Sequence, residues 1–220
     1  MQIINNLFSN YYRTIIFDCD GVILDSNELK TDSFIQLLDN QPKKIINTFI
    51  SYHKKNGGIT RQKKIEFLLK NIIKNYSIER HQNLVDKYGE IVSNNFKNVQ
   101  FTKCAEAFIK KHHVSKKLYV VSGGKQSELH NIFQNLKIFD YFNFIYGNPL
   151  SKVENMKKLF SEFNIEKEIL FIGDSKVDFD VAKKFNIDFL FVKDYSEMVN
   201  HNSFLDKYKI SSVNNFSNLV

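Results

Sequence analysis

Five short runs of Ile, Val, Leu, Phe and Tyr set the strongest limit on what this chain can become. They are "TIIF" at 14–17, "LYVV" at 118–121, "FIY" at 144–146, "ILFI" at 169–172 and "FLFV" at 189–192. Each is short, rich in β-branched and aromatic residues, and bounded by turn formers, which is the pattern of a strand buried on both faces. Stretches with helical spacing near 126–135, 151–164 and 176–185 separate the last four. Strand, helix and strand in succession predict an α/β fold with a parallel sheet covered on both sides by helices.

In such sheets ligands bind beyond the carboxyl ends of the strands, so the residue after each run carries information. Asp18 follows the first run, with Asp20 two residues further on. Ser122, Gly123 and Gly124 follow the second, "GNPLSK" the third and "GDSKVD" the fourth. Each signal alone has an ordinary reading. Two acids around one residue fit a tight turn, a metal or nucleotide contact, or a nucleophile; "GG" fits a turn, and "GDSxxD" fits a helix cap with acids near the positive end of the helix dipole. Their joint arrival at one sheet edge is much harder to obtain by chance.

Between the first and second runs lies a segment of a different kind, about 27–98. Apolar residues recur there at helical spacing: Phe34, Leu37 and Leu38; Ile45, Ile46, Phe49 and Ile50; Ile65, Leu68, Leu69 and Ile72; and Leu84, Val85, Tyr88, Ile91 and Val92. Gln41-Pro42 and Gly57-Gly58 punctuate them. The expectation is four helices inserted into the α/β core, entered near Asp25 and left near 99–102.

The formal charge of +7 raises the question of a nucleic-acid partner. The lysines are scattered as pairs, mostly on predicted helices, with no dense basic block, so no nucleic-acid partner is expected. Two cysteines far apart, Cys19 and Cys104, fit free thiols in a reducing compartment. The N-terminal "MQIINNLFSNYY" lacks the basic start of a signal peptide, and no apolar stretch approaches a membrane span of about 20 residues. A cytoplasmic protein without a membrane partner is expected.

Taken together the motifs resemble those of the haloacid dehalogenase (HAD) superfamily, over essentially the whole chain. "FDCDGVILDS" resembles motif I of its phosphatase branch, "VVSGG" motif II, the lysine of "GNPLSKVENM" motif III and "IGDSKVDFD" motif IV. The resemblance implies a Rossmann-like parallel-sheet core, residues 1–24 and 100–220, with a small α-helical (C1-type) cap inserted at 25–99. It also implies a Mg²⁺-dependent phosphatase acting on a small phosphorylated metabolite through an aspartyl-phosphate. A phosphosugar, a phosphoglycolate-like acid and an amino-alcohol phosphate all fit, and the "GGITR" loop resembles phosphatases of surface-polysaccharide synthesis. A phosphosugar mutase of the β-phosphoglucomutase type and a non-catalytic phosphate-binding module are the alternatives. Nothing in the sequence chooses between monomer and homodimer.

The implied roles fall on named residues. Asp18 attacks phosphorus and, with Asp174, gives side-chain ligands to the metal; Asp20 gives its backbone carbonyl. Asp20 also handles protons, first as acid and then as base. Asp178 belongs to the same metal site, mainly by orienting Lys152 or a metal-bound water. Ser122 and the N–H groups of Gly123 and Gly124 bind the phosphoryl oxygens, and Lys152 neutralises charge there. Asp20 sets the chain apart from relatives with Tyr, Ala or Thr at that position. Gly123-Gly124, where many relatives have Asn-Gly, is expected to open space beside the phosphate. Thr60 is a candidate helix N-cap and Arg61 a candidate reader of the leaving group, while Glu28 and Lys30 are weaker candidates for the entrance. His53, His112 and His113 are read as surface or core histidines, and Cys19 as packing with its side chain turned away from Asp18.

Overall fold

A computed structural model of the chain describes residues 3–4, 11–163, 165 and 168–220. Most of the segment whose sequence argues against a signal peptide therefore lies outside the described residues. Six strands form one parallel sheet: β1 (Thr14–Phe17), β4 (Lys117–Lys125), β5 (Phe144–Asn148), β6 (Ile169–Gly173), β7 (Asp188–Val192) and β8 (Ser211–Val213). Their order is β5-β4-β1-β6-β7-β8. The five apolar runs are all strands, and β8 is a sixth. β1 lies at the centre because its residues are buried on both sides. Phe17 pairs with Val120 on one flank and with Ile172 on the other, so the three strands run in register up to the end of β1.

Side chains alternate between two cores, as the period of a strand requires. Ile15 and Phe17 face a cluster with Phe108 and Ile109 of α5 (Ala105–His112) and Phe133 of α6 (Gln126–Asn135). Ile16 faces the opposite cluster, with Met156 and Leu159 of α7 (Lys152–Glu162), Val181 of α8 (Lys176–Lys184) and Phe204 of α9 (His201–Tyr208). The expected two-sided cover is present.

The inserted segment is helical as expected. It comprises α1 (Asn27–Leu37), α2 (Lys43–Lys55), α3 (Arg61–Phe67), which continues as a π-helical turn at Leu68–Ile72, and α4 (Ile78–Asn95). Its apolar residues, among them Phe34, Phe49, Leu68 and Val92, are continuous with the core on the Phe17 side of the sheet. Two short strands, β2 (Leu24–Asp25) and β3 (Gln100–Phe101), pair antiparallel where the chain enters and leaves the insertion. The two ends of the segment are thus tied to each other, a few residues beyond Asp18.

β4 runs longer than its apolar run. It passes through Ser122, Gly123 and Gly124 to Lys125, with a register shift against β5 between Val121 and Lys125. The two glycines sit in an irregular strand end of the sort that re-aims backbone beside a site, not in a simple turn.

Candidate active site

β1 is the switch point of the sheet: from it the chain's strands proceed to β4 on one side and β6 on the other. At such a point the carboxyl ends of the strands open a crevice. Asp18 follows β1 directly, and its amide donates to the carbonyl of Ile172 on β6 at 2.9 Å. Asp174 follows β6, and Asp178 lies in the first turn of α8. Oxygens of these three buried carboxylates all lie within 4.8 Å of one another.

Lys152 is the cation among them. The turn before α7 is fixed by Ser151, whose Oγ caps the helix while Glu154 bonds back to the Ser151 amide. Lys152, the first residue of α7, is thereby aimed into the crevice. Its Nζ donates to Asp178 Oδ1 at 2.5 Å and lies 2.8 Å from Asp18 Oδ1. Asp178 accepts through its other oxygen from the Ser175 amide and hydroxyl. Both oxygens of Asp178 are thus engaged by the protein, whereas Asp174 Oδ2 accepts only from Asn27 Nδ2, at 2.8 Å, among the described residues. Asp178 is placed to hold Lys152; Asp18 and Asp174 face the crevice more freely.

One lysine does not balance three buried carboxylates. Burial pushes Asp18 up to about 7, with the Asp178 charge adding to the effect and Lys152 opposing it. Burial and the charges of Asp18 and Asp178 raise Asp174 well above the usual carboxylate range. Burial and nearby carboxylates also raise the Cys19 thiol. The Cys19 side chain packs in the apolar core, while its amide donates to Asp18 Oδ1 at 2.7 Å.

Asp20 is held apart from this cluster. Ser26 stands at the N-cap of α1 but makes no cap bond; its hydroxyl donates instead to Asp20 Oδ1 at 2.7 Å. Lys30, one turn into α1, forms an ion pair with Asp20 Oδ2. Burial alone would raise Asp20, but the Lys30 charge and the hydrogen bonds from Lys30 and Ser26 outweigh it and hold the carboxyl below its usual range. The two acids of "DCD" therefore stand in opposite electrostatic states.

Some of the remaining sequence candidates line a cavity of about 290 Å³, and others lie outside it. Gly123 and Gly124 line it, with Asp18, Asp20 and Asp174. Ser122 is fully buried, and its Oγ accepts from the Gly124 amide at 3.1 Å. That Gly124 amide, expected to meet a phosphoryl oxygen, is thus already bonded. The space expected beside Gly123 is filled as well. A Cβ at Gly123 would come within 2.7 Å of the Gly58 carbonyl oxygen, in the loop between α2 and α3. Changing Gly123→Ala should unseat that loop while leaving the strand, lowering kcat/KM at least about tenfold with a melting temperature within a few degrees. A parallel fall in melting temperature would instead place the defect in the sheet.

Arg61 lines the cavity, but its guanidinium pairs with both oxygens of Glu128 on α6 and lies 5.2 Å from the Tyr88 ring centroid. Its charge bridges the insertion to the core. Thr60 stands at the N-cap of α3 without a side-chain cap bond. Lys30 lines the cavity and Glu28 does not. Sequence reasoning missed Ser26, Asn27, Lys64 and Glu197, and read His53 too simply. His53 is buried, lines the cavity, and brings its Nε2 within 3.1 Å of Thr31 Oγ1 and 3.7 Å of Glu197 Oε2. His112 is buried away from the cavity, and its Nε2 has no hydrogen-bond partner among the described residues; His113 donates from Nδ1 to the Lys110 carbonyl at 2.7 Å. No helix among the described residues is long and apolar enough to cross a membrane.

A family model described as haloacid dehalogenase-like hydrolase matches residues 15–192, which takes in every strand-end motif. The chain belongs to that family. No curated protein sequence matches this HAD-like hydrolase. Solved structures resemble it over nearly their full lengths. A predicted phosphatase from Clostridium acetobutylicum superposes with a TM-score of 0.74 at 21% identity, covering 94% of this chain and 96% of its own. The β-phosphoglucomutase of Clostridium difficile gives 0.73 at 18%, covering 95% and 93%. YfnB from Bacillus subtilis, solved bound to magnesium, gives 0.67 at 17%, covering 94% and 96%. These likenesses show that the HAD-like hydrolase shares their fold.

Proposed function

We propose that this HAD-like hydrolase is a Mg²⁺-dependent phosphatase that cleaves a small phosphomonoester through an aspartyl-phosphate on Asp18. The observation that carries the reading is the crevice itself: Asp18, Asp174 and Asp178 converge at the carboxyl edge of the sheet around one lysine.

The donor set fits Mg²⁺. It consists of carboxylate oxygens and carries more buried negative charge than Lys152 offsets; burial first, and that surplus after it, raise Asp18 and Asp174. Asp18 and Asp174 would hold the ion by their side chains and Asp20 by its carbonyl, with Asp178 keeping Lys152 in place. When bound, the ion supplies positive charge that lets a carboxylate approach a phosphate dianion.

The protein groups divide the remaining work. Asp18 attacks phosphorus and the ester oxygen leaves. Lys152 stabilises charge on the transferring group, and the hydroxyl of Ser122, which accepts from Gly124, keeps its own proton to donate. Asp20, held ionised by Lys30 and Ser26, is ready to take the proton of the water that opens the aspartyl-phosphate. Its acid half-reaction needs Lys30 to draw back. In this reading residues 25–99 form a cap over a core made of 1–24 and 100–220, and the Arg61–Glu128 bridge holds the cap against it. The enclosed volume favours a small metabolite over a macromolecule.

Incubating the protein with a panel of phosphomonoesters, with Mg²⁺ and with EDTA, tests this. Phosphate release that depends on Mg²⁺ is expected, together with a Mg²⁺-induced rise in melting temperature that Asp174→Asn removes. Interconversion of sugar phosphates without release from any ester would replace phosphatase by mutase. Release insensitive to EDTA would remove the metal.

A further inference from the structure

Most cations on the cavity wall are answered by a carboxylate. Lys30 faces Asp20, Lys54 lies 3.2 Å from Glu197 Oε1, and Arg61 grips Glu128. Lys64 is the exception among the buried ones. It lies on α3, is only 5% exposed, lines the same cavity as Asp18, and has no carboxylate within ion-pair distance among the described residues. Its Nζ meets His53 Nδ1 at 2.7 Å and, more distantly, the His53 carbonyl at 3.4 Å.

His53 serves this lysine as an acceptor. Burial and the charges of Lys64 and Lys30 push the imidazole down to about 2, so it is neutral. A neutral ring that accepts at Nδ1 carries its proton on Nε2, where Thr31 Oγ1 stands at 3.1 Å. Thr31 in turn donates to Glu197 Oε1 at 2.7 Å. The row Lys64, His53, Thr31, Glu197 locks the ring, and the carboxylate at its end is already used by Lys54. An ammonium has three N–H donors; the ring and carbonyl of His53 leave one without a partner among the described residues.

A buried ammonium without a counter-ion in contact is unfavourable unless something balances it. The more distant charges of Glu197 and Asp20 do so only in part, and burial, helped by Lys30 and Lys152, still lowers Lys64 to about 7. The natural balancing group is one that arrives in the cavity with the substrate. We infer that Lys64, oriented by His53, is a second anion subsite, so that the ester cleaved here carries a further carboxylate or phosphate on its alcohol portion.

This inference rests on the phosphatase reading and narrows it. It selects phosphorylated acids and bisphosphates from the compatible substrates, and it rejects amino-alcohol phosphates, whose ammonium would meet Lys64 with like charge. A cavity of about 290 Å³ accommodates a short molecule with an anionic group at each end.

Matched substrates provide the test. For the carboxylate, 3-phosphoglycerate is compared with glycerol 3-phosphate; for the second phosphate, propane-1,3-diol bisphosphate is compared with 3-hydroxypropyl phosphate; phosphoethanolamine supplies the cation. One charge-assisted hydrogen bond predicts about a 10- to 100-fold higher kcat/KM for at least one anionic member over its neutral partner, with phosphoethanolamine poorest. Lys64→Met should erase that preference mainly through KM, leaving turnover of p-nitrophenyl phosphate within about twofold. Equal rates for both members of each pair in the unaltered protein would overturn the subsite, and so would a preference that survives Lys64→Met. The unaltered protein decides the first point even if the variant fails to fold. Failure to release phosphate from every ester, p-nitrophenyl phosphate included, would instead reject the phosphatase reading and the subsite with it.

Discussion

Replacing Asp18 by Asn should reduce phosphate release by at least about 10⁴-fold, the scale seen when a covalent nucleophile is removed. The fold should survive intact or be slightly stabilised. The amide retains an oxygen that Lys152 can bond where it now lies 2.8 Å from Asp18 Oδ1. It also removes one of three mutually repelling buried carboxylates. Burial and the neighbouring Asp178 already raise Asp18 to about 7, so the folded protein holds this negative charge at a cost that Asn abolishes. Far-ultraviolet circular dichroism and a thermal melt check the structural half of the prediction, and steady-state phosphate release checks the chemical half. Activity above about a tenth of the starting value would remove Asp18 from the role of nucleophile.

Lys152→Met should damage stability and chemistry together. Lys152 is nearly fully buried, and its ammonium joins Asp18 to Asp178. Removing one partner of a buried ion pair costs about 3–5 kcal/mol, since the charges left behind can reach neither water nor a counter-ion. For a chain of this length that corresponds to a fall of roughly 10 °C in melting temperature. The loss should depend on pH in a definite direction. Without the lysine, Asp18 rises further above its unfolded value. A carboxyl raised in the folded state supports folding while it stays protonated and withdraws that support as pH rises through its folded value. The variant should therefore differ least from the parent near pH 5 and most above pH 7. A melting temperature unchanged at pH 8 would show that Asp178 and Asp18 do not depend on this cation. Turnover should fall by more than about a hundredfold, as when a fixed donor to a developing charge is lost.

Much of this architecture was readable from sequence, for a physical reason. Strands buried on both faces must be apolar throughout, so the runs containing Ile15, Val120, Ile145, Leu170 and Leu190 stand out from the rest. A carboxylate after one such run, as at Asp18 or Asp174, fits a turn or a cap, but several arriving together at one sheet edge signal a site. The short strands β2, β3 and β8 have two or three residues each and no apolar run, so their sequences carry no strand signal. Taken alone the glycines of β4 fit a turn; the register shift that carries the strand past them to Lys125 depends on β5, which the local sequence does not show.

What the sequence hid most completely is which charges meet. Lys30 and Asp20 are ten residues apart, but Asn27 reaches Asp174 across 147 positions and Arg61 reaches Glu128 across 67. In a chain with 31 Lys and Arg residues, no single lysine stands out until burial is known. Lys64 sits in Lys63-Lys64, one of many scattered lysine pairs that look alike in sequence. The fold buries Lys64 against His53 and leaves Lys63 exposed. Likewise Asp20, expected to move protons in both directions, is held ionised by a lysine and a serine whose alignment depends on how α1 packs.

The covalent aspartyl-phosphate is the central claim, and trapping it is the most direct measurement. A phosphomonoester that the protein cleaves would be mixed with it in Mg²⁺, quenched within the first turnover, reduced with borohydride and digested for mass spectrometry. Reduction of an aspartyl-phosphate yields homoserine, and the account predicts homoserine at position 18 and at no other aspartate. Rapid phosphate release with Asp18 recovered unmodified, or homoserine at Asp20 or Asp174, would contradict it.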